Sequence, residues 1–184
     1  MTTDRTFCRF SKSPATAAFG MPEVPKDGLC LCAFVVITSA EPPSRVLLGR
    51  INPEAPWDHL GALDPERVTS WKDRWMLPSS HLLMLESPEE AASRILRELT
   101  GLSGRTLEGP KVTSEVYAAP RNPGAAHHWD IEFIFRGTAS ESEVKPIEPW
   151  TELRFVELGQ LQPDNMARLQ DDILRYVGLV PGKW

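Results

Sequence analysis

Glu86-Ser-Pro-Glu-Glu-Ala-Ala-Ser-Arg-Ile-Leu-Arg-Glu-Leu-Thr-Gly-Leu102 carries its own start and stop signals for one helix. Ser87 is a side-chain N-cap, Pro88 suits the first helical position, and Glu90 completes a reciprocal capping box while Glu89 favours the positive helix end. Gly101 can take the left-handed conformation that closes a helix, and Leu102 can fold back on the preceding turn. The two ends agree on a helix over residues 88–100. Within it Ala91, Ala92, Ile95, Leu96, Leu99 and Leu102 recur at spacings of three and four, an apolar stripe wide enough to pack on a sheet. Glu86, Glu90, Arg94 and Glu98 fall off that stripe. The last three are four residues apart, so helix geometry alone predicts an exposed Glu-Arg-Glu ladder worth about 0.3–0.5 kcal/mol per pair.

Upstream of this helix, residues 29–38 read as a buried strand and residues 45–50 as its partner, separated by the turn signal Ala40-Glu-Pro-Pro-Ser44. The pattern predicts a β-hairpin. Cys30 and Cys32 flank Leu31, so both point to one side of the first strand as small buried hydrophobes. Residues 52–74 are too long for a simple connector and carry Trp57, Trp71, His59 and several acids. A short helix over residues 64–72, capped by Asp64 and followed by Pro65, fits there. An aromatic of this insertion either stacks on a nucleobase or anchors the loop to the core. Downstream, residues 111–118 and 129–137 read as strands around a Pro- and Gly-rich loop that leads into His127 and His128, residues 139–149 as polar linker and residues 153–158 as a further strand. Asp164 caps a closing helix over residues 165–177, with Met166, Leu169, Ile173, Leu174 and Val177 on its apolar face.

Residues 1–28 mix Ser, Pro, Ala and Gly with scattered Phe and read as an irregular N-terminal arm with at most one short strand. Residues 29–184 read as a single domain, long enough to bury a core without staples. The net charge of -5 offers no broad attraction for a polymeric nucleic acid or an anionic membrane. No apolar run approaches the roughly 20 residues that span a bilayer, and the N terminus lacks a secretory pattern, so cytoplasmic residence is the simplest expectation. Three cysteines fit a reducing compartment better than a disulfide framework.

The interval from Ser80 to Leu102 resembles the box of the Nudix hydrolases, in which Gly, five residues, Glu and seven residues lead to Arg-Glu-aliphatic-any-Glu-Glu-any-Gly-aliphatic. Glu86 matches the first Glu, Arg94 the Arg, Leu96 the aliphatic position, Glu98 the first Glu of the pair, Gly101 the Gly and Leu102 the final aliphatic. Ser80 replaces the opening Gly, Ile95 the Glu after Arg, and Leu99 the second Glu of the pair. Trp75-Met-Leu-Pro-Ser-Ser80 is similar to the family's Trp-any-Leu-Pro-Gly-Gly segment. His127 to Phe135 and Glu152 to Leu158 are similar to its later strands. The resemblance covers residues 30–162 and implies an α/β fold, a Nudix-type α/β/α sandwich with a mixed sheet between helices.

It further implies a hydrolase of a nucleoside diphosphate linked to another moiety, dependent on Mg2+ or Mn2+. Glu98, Arg94 and Glu86 are then the catalytic candidates, and Glu98 with the loop acid Glu148 the metal candidates. Trp57, Trp75 and Tyr117 are the candidate substrate contacts. Glu152 lies near the same loop, and Glu115 and Glu132 occupy strand positions with weaker claims. Ile95 and Leu99 oppose this reading, because they stand where two carboxylates would face the metal from one side of the helix, and a hard cation requires oxygen ligands. The competing expectation is a catalytically silent Nudix-fold module that binds a nucleotide-like ligand or a protein partner. The resemblance leaves a homodimer open.

Overall fold

The structure, a computed structural model, describes residues 5–10, 28–42, 44–116, 129–167 and 170–181. Among these residues eight strands form one mixed sheet: β1 (Arg9–Phe10), β2 (Leu29–Ser39), β3 (Arg45–Ile51), β4 (Trp75–Met76), β5 (Ser79–His81), β6 (Glu108–Val116), β7 (Trp129–Ala139) and β8 (Trp150–Glu157). Among the described residues four helices accompany it, α1 (Trp57–Leu60), α2 (Pro65–Trp71), α3 (Pro88–Thr100) and α4 (Asp171–Tyr176). β2 is the spine. It runs parallel to β7 from Leu29 opposite Trp129 to Ser39 opposite Ala139, and antiparallel to β1, β3 and β5. β6 closes one side against β7, while β8 and β4 pair with β3 on the other.

Strand alternation sorts the core into two layers. From β2, Ala33, Val35 and Ile37 enter the layer beneath α3, together with Ala91, Ala92, Ile95, Leu96, Leu99 and Leu102. Cys30, Cys32, Phe34 and Val36 face the opposite layer, where Ile173, Leu174 and Val177 of the α4 region cover them. The sheet is therefore buried on both faces, as the α/β/α expectation required. Cys30 and Cys32 are buried thiols on one side of the strand, outside any disulfide.

The hairpin and the box helix form where the sequence places them. The closing helix does not begin at residue 165. Pro163–Asn165 is instead a 3-10 turn, in which the Gln162 N–H donates to the Asn165 side chain. Met166 then takes an extended conformation and pairs alongside Trp75. Further along, buried Gln170 accepts from the Leu77 N–H at 2.7 Å and donates to Ser79 Oγ at 3.1 Å. These tertiary hydrogen bonds satisfy buried groups of the β4–β5 segment, so helix α4 starts only at Asp171. The linker before β8 also holds a turn of 3-10 helix, Glu141–Glu143.

Two tryptophans tie the insertion to the core. Trp57 packs edge-on against Trp150, with ring centroids 4.9 Å apart. Its indole N–H donates to the Asn52 carbonyl at 2.9 Å, and that of Trp150 to the Leu99 carbonyl at 2.7 Å near the end of α3. Gly49 on β3 lies directly under the Trp150 ring, where any Cβ would collide with ring carbons. Gly49→Ala is therefore expected to destabilise the fold by about 1–3 kcal/mol through overpacking. Urea unfolding would show it as a lower midpoint at unchanged slope.

Candidate functional site

Helix α3 is positioned by the devices its sequence carries. Ser87 Oγ accepts from the Glu90 N–H at 3.2 Å, the Glu90 carboxylate accepts from the Ser87 N–H at 2.8 Å, and Gly101 closes the helix with φ of 70°. The expected Glu90-Arg94-Glu98 ladder is absent, because each member is held by another partner. Arg94 is buried rather than exposed, and its guanidinium reaches back eight residues to Glu86. Nε donates to Glu86 Oε1 at 2.7 Å and Nη2 to Oε2 at 2.8 Å, a two-point pair with side chains 7% and 11% exposed. Arg94 Nη2 also donates to the His81 carbonyl at 2.9 Å, and Glu86 Oε2 accepts from the Leu83 N–H at 2.8 Å. Ser80, standing where the box would open with Gly, donates from Oγ to the Leu60 carbonyl at 2.9 Å and lies 3.4 Å from Arg94 Nη1. The pair thus pins the loop before α3 to its own helix.

Glu98 is engaged by a residue with no local sequence signal. Arg5 donates from Nη1 to Oε2 and from Nη2 to Oε1, both at 2.9 Å, and Nη1 also donates to the His59 carbonyl at 3.1 Å. A second guanidinium, that of Arg97, donates to Glu98 Oε1 at 3.1 Å. Arg5 is held there by the segment that follows it. The Met84 N–H donates to the Thr6 carbonyl and the Cys8 N–H to the Leu82 carbonyl, each at 2.7 Å, and Phe7 pairs with Leu83. Residues 6–8 therefore run as a short added strand beside the approach to α3.

Burial pushes the Glu86 carboxyl upward, but the Arg94 hydrogen bond, the Leu83 N–H and the charges of Arg94 and Arg5 outweigh it and hold the group below its ordinary range. Glu98 follows the same logic. Burial raises it, and the Arg5 hydrogen bond, the Arg5 charge, the Arg97 hydrogen bond and the Arg94 charge together lower it.

The remaining candidates lie apart from this centre. Ile95 is 0% and Leu99 1% exposed, both within the core layer beneath α3. Glu148 is exposed in the loop before β8, where its backbone carbonyl accepts from Asn52 Nδ2 at 3.0 Å. Glu152 lies between Arg50 Nε at 3.4 Å and Arg154 Nε at 2.5 Å. Trp75 is buried under the same two guanidinium groups, 4.5 and 4.9 Å from its ring centroid. Trp57 is 1% exposed and takes the anchoring role, one of the two open to an aromatic of the insertion. Glu132 is buried on β7, and Glu115 lies on β6. Tyr117, His127 and His128 lie outside the described residues.

No protein-family model and no curated protein matches the chain. Solved structures do. A MutT/nudix family protein from Enterococcus faecalis superposes with a TM-score of 0.55 at 17% identity over 84% of this chain, which spans 61% of that protein. A MutT NUDIX hydrolase from Burkholderia pseudomallei gives 0.55 at 20% identity over 81% of this chain and 98% of its own. The NUDIX domain of Shewanella oneidensis NrtR, solved with ADP ribose, gives 0.52 at 15% identity over 88% of this chain and 94% of its own. At such identities the likeness is one of architecture, and the chain has the Nudix superfamily fold.

The divalent cation that this fold implies does not fit the donor set present. Two of the helix positions that would face it are buried aliphatics, Glu98 is already flanked by two guanidinium groups, and Glu86 is spent on Arg94. Among the described residues no three His, Cys, Asp or Glu side chains come together to hold an ion.

Glu86 and Glu98 make stability depend on acidity. Their folded pKa values lie below the ordinary 4.5, so at low pH the unfolded chain binds more protons than the folded one. Their contribution is therefore complete above the unfolded value and is lost as pH falls through the folded values. Urea midpoints followed from neutral pH down into this acid range should fall for the wild type. Glu98→Gln should fall less steeply over the same window.

Proposed function

We propose that this Nudix-fold domain acts by binding and not by metal-dependent hydrolysis, and that its ligand is a nucleotide-type small molecule. The observation that carries the first part is the state of Glu98, the one box carboxylate left of the pair, which is closed off by Arg5 while Ile95 and Leu99 fill its neighbouring helix positions with core packing. Cleaving a phosphoanhydride requires that charge on the transferred group be neutralised and that a water be activated. A carboxylate held below its ordinary pKa by Arg5, Arg97 and Arg94 is a weak base at neutral pH. Glu86, Arg94 and Glu98 then serve architecture. Glu86–Arg94 fixes the loop before α3, and Glu98 fixes the arm.

The ligand class is supported by a structural neighbour, since the Shewanella NUDIX domain was solved with ADP ribose on this architecture. The rival reading, a slow hydrolase of a nucleoside diphosphate linked to another group, needs Glu98 released from Arg5 and a metal held with fewer carboxylates than the box normally supplies. The two readings separate in a paired assay. Phosphate release from nucleoside diphosphate derivatives, with Mg2+ or Mn2+, is expected to stay at the level of the protein-free blank. ADP ribose at a hundred times its Kd is expected to stabilise the fold by about 2.7 kcal/mol, roughly 5–10 °C in melting temperature for a chain of this size. Metal-dependent turnover that disappears in Glu98→Gln would instead establish the hydrolase.

A further inference from the structure

The cation that Glu98 holds is not adventitious in its geometry. A guanidinium is planar and presents paired N–H donors in a fixed fork, which match the two oxygens of a carboxylate. Arg5 uses that fork fully, Nη1 to Oε2 and Nη2 to Oε1 at 2.9 Å each, and spends the second N–H of Nη1 on the His59 carbonyl at 3.1 Å. Three oxygen acceptors from two distant segments, α3 and the end of α1, therefore converge on one guanidinium group. The side chains of Arg5 and Glu98 are 16% and 20% exposed, so the contact lies largely out of water. The backbone ladder of Thr6, Phe7 and Cys8 against residues 82–84 delivers the arginine from one side. A carbonyl and a carboxylate placed this way make a receptor for a planar, forked cation.

We propose that Glu98 and the His59 carbonyl form a guanidinium-binding site, filled in cis by Arg5 of the N-terminal arm. The guanidinium supplies the positive charge next to the box carboxylate, and its directional hydrogen bonds select it over a metal ion. Arg97, which also contacts Glu98 Oε1, raises the local positive charge and adds to the bias against a doubly charged cation. With the Arg5 side chain removed, the same acceptors would take a small guanidinium ion. The inference rests on the reading that the box holds no divalent cation, and its test separates the two.

The test uses the full-length Arg5→Ala variant, followed by calorimetry at neutral pH with methylguanidinium, methylammonium or MgCl2 added at millimolar concentration and constant ionic strength. Arg5→Ala is expected to melt several degrees below the wild type. Methylguanidinium should raise the melting temperature of the variant, methylammonium less so, and MgCl2 not at all, while the wild type responds to none of them. Adding Glu98→Gln to Arg5→Ala should abolish the methylguanidinium response. If neither organic cation acts on Arg5→Ala, the guanidinium site is overturned while the non-hydrolytic reading stands. If MgCl2 raises Arg5→Ala as far as methylguanidinium does, the vacated acceptors do not select a guanidinium and the site is overturned, whereas MgCl2 that stabilises the wild type itself would overturn the non-hydrolytic reading.

Discussion

Burial of one face of α3 against the β2 spine governs the rest of this molecule. Because Ile95 and Leu99 belong to that face, the helix is held by continuous packing from Ala91 to Leu102. At about 25 cal/mol per Å2 of apolar surface, each such aliphatic residue contributes about 1.5–3 kcal/mol when fully buried. A carboxylate at either position would lose that term and incur the cost of a buried charge. Packing and metal chemistry thus compete for the same two helix positions, and here packing holds both.

The polar groups left on the other side of the helix are organised by arginine. Glu86 is matched by Arg94, and Glu98 by Arg5 with Arg97, so each carboxylate that survives from the box has an internal counter-charge. These pairs bridge long sequence separations and join the arm, the insertion around His59 and the loop before α3 into one unit. The fold is that of the Nudix structures, and in it these charged residues hold segments of the chain together.

The helix was legible because its signals are local: Ser87, Glu90 and Gly101 act within one turn of the ends they define. The β2–β3 hairpin and the two-sided burial of β2 followed from apolar runs and turn residues for the same reason. What escaped sequence reasoning was set by partners far away in the chain. Arg94 looked like the centre of a surface ladder because helix spacing shows only neighbours three and four residues away, whereas its partner Glu86 lies before the helix. Arg5 is separated from Glu98 by 93 residues, and an arginine in an irregular arm carries no signal of its destination. The late start of α4 has the same origin, since Gln170 and Met166 are committed to the β4–β5 segment. Within the box, the positions of Glu86, Arg94 and Glu98 were readable from spacing, but the partners they hold were not.

Binding of Mn2+ to the wild-type protein, followed by electron paramagnetic resonance of the free ion, tests most directly whether the box has exchanged metal for arginine. The free Mn2+ signal at millimolar concentration is expected to match that of a protein-free solution. A saturable, stoichiometric site that vanishes in Glu98→Gln would contradict it.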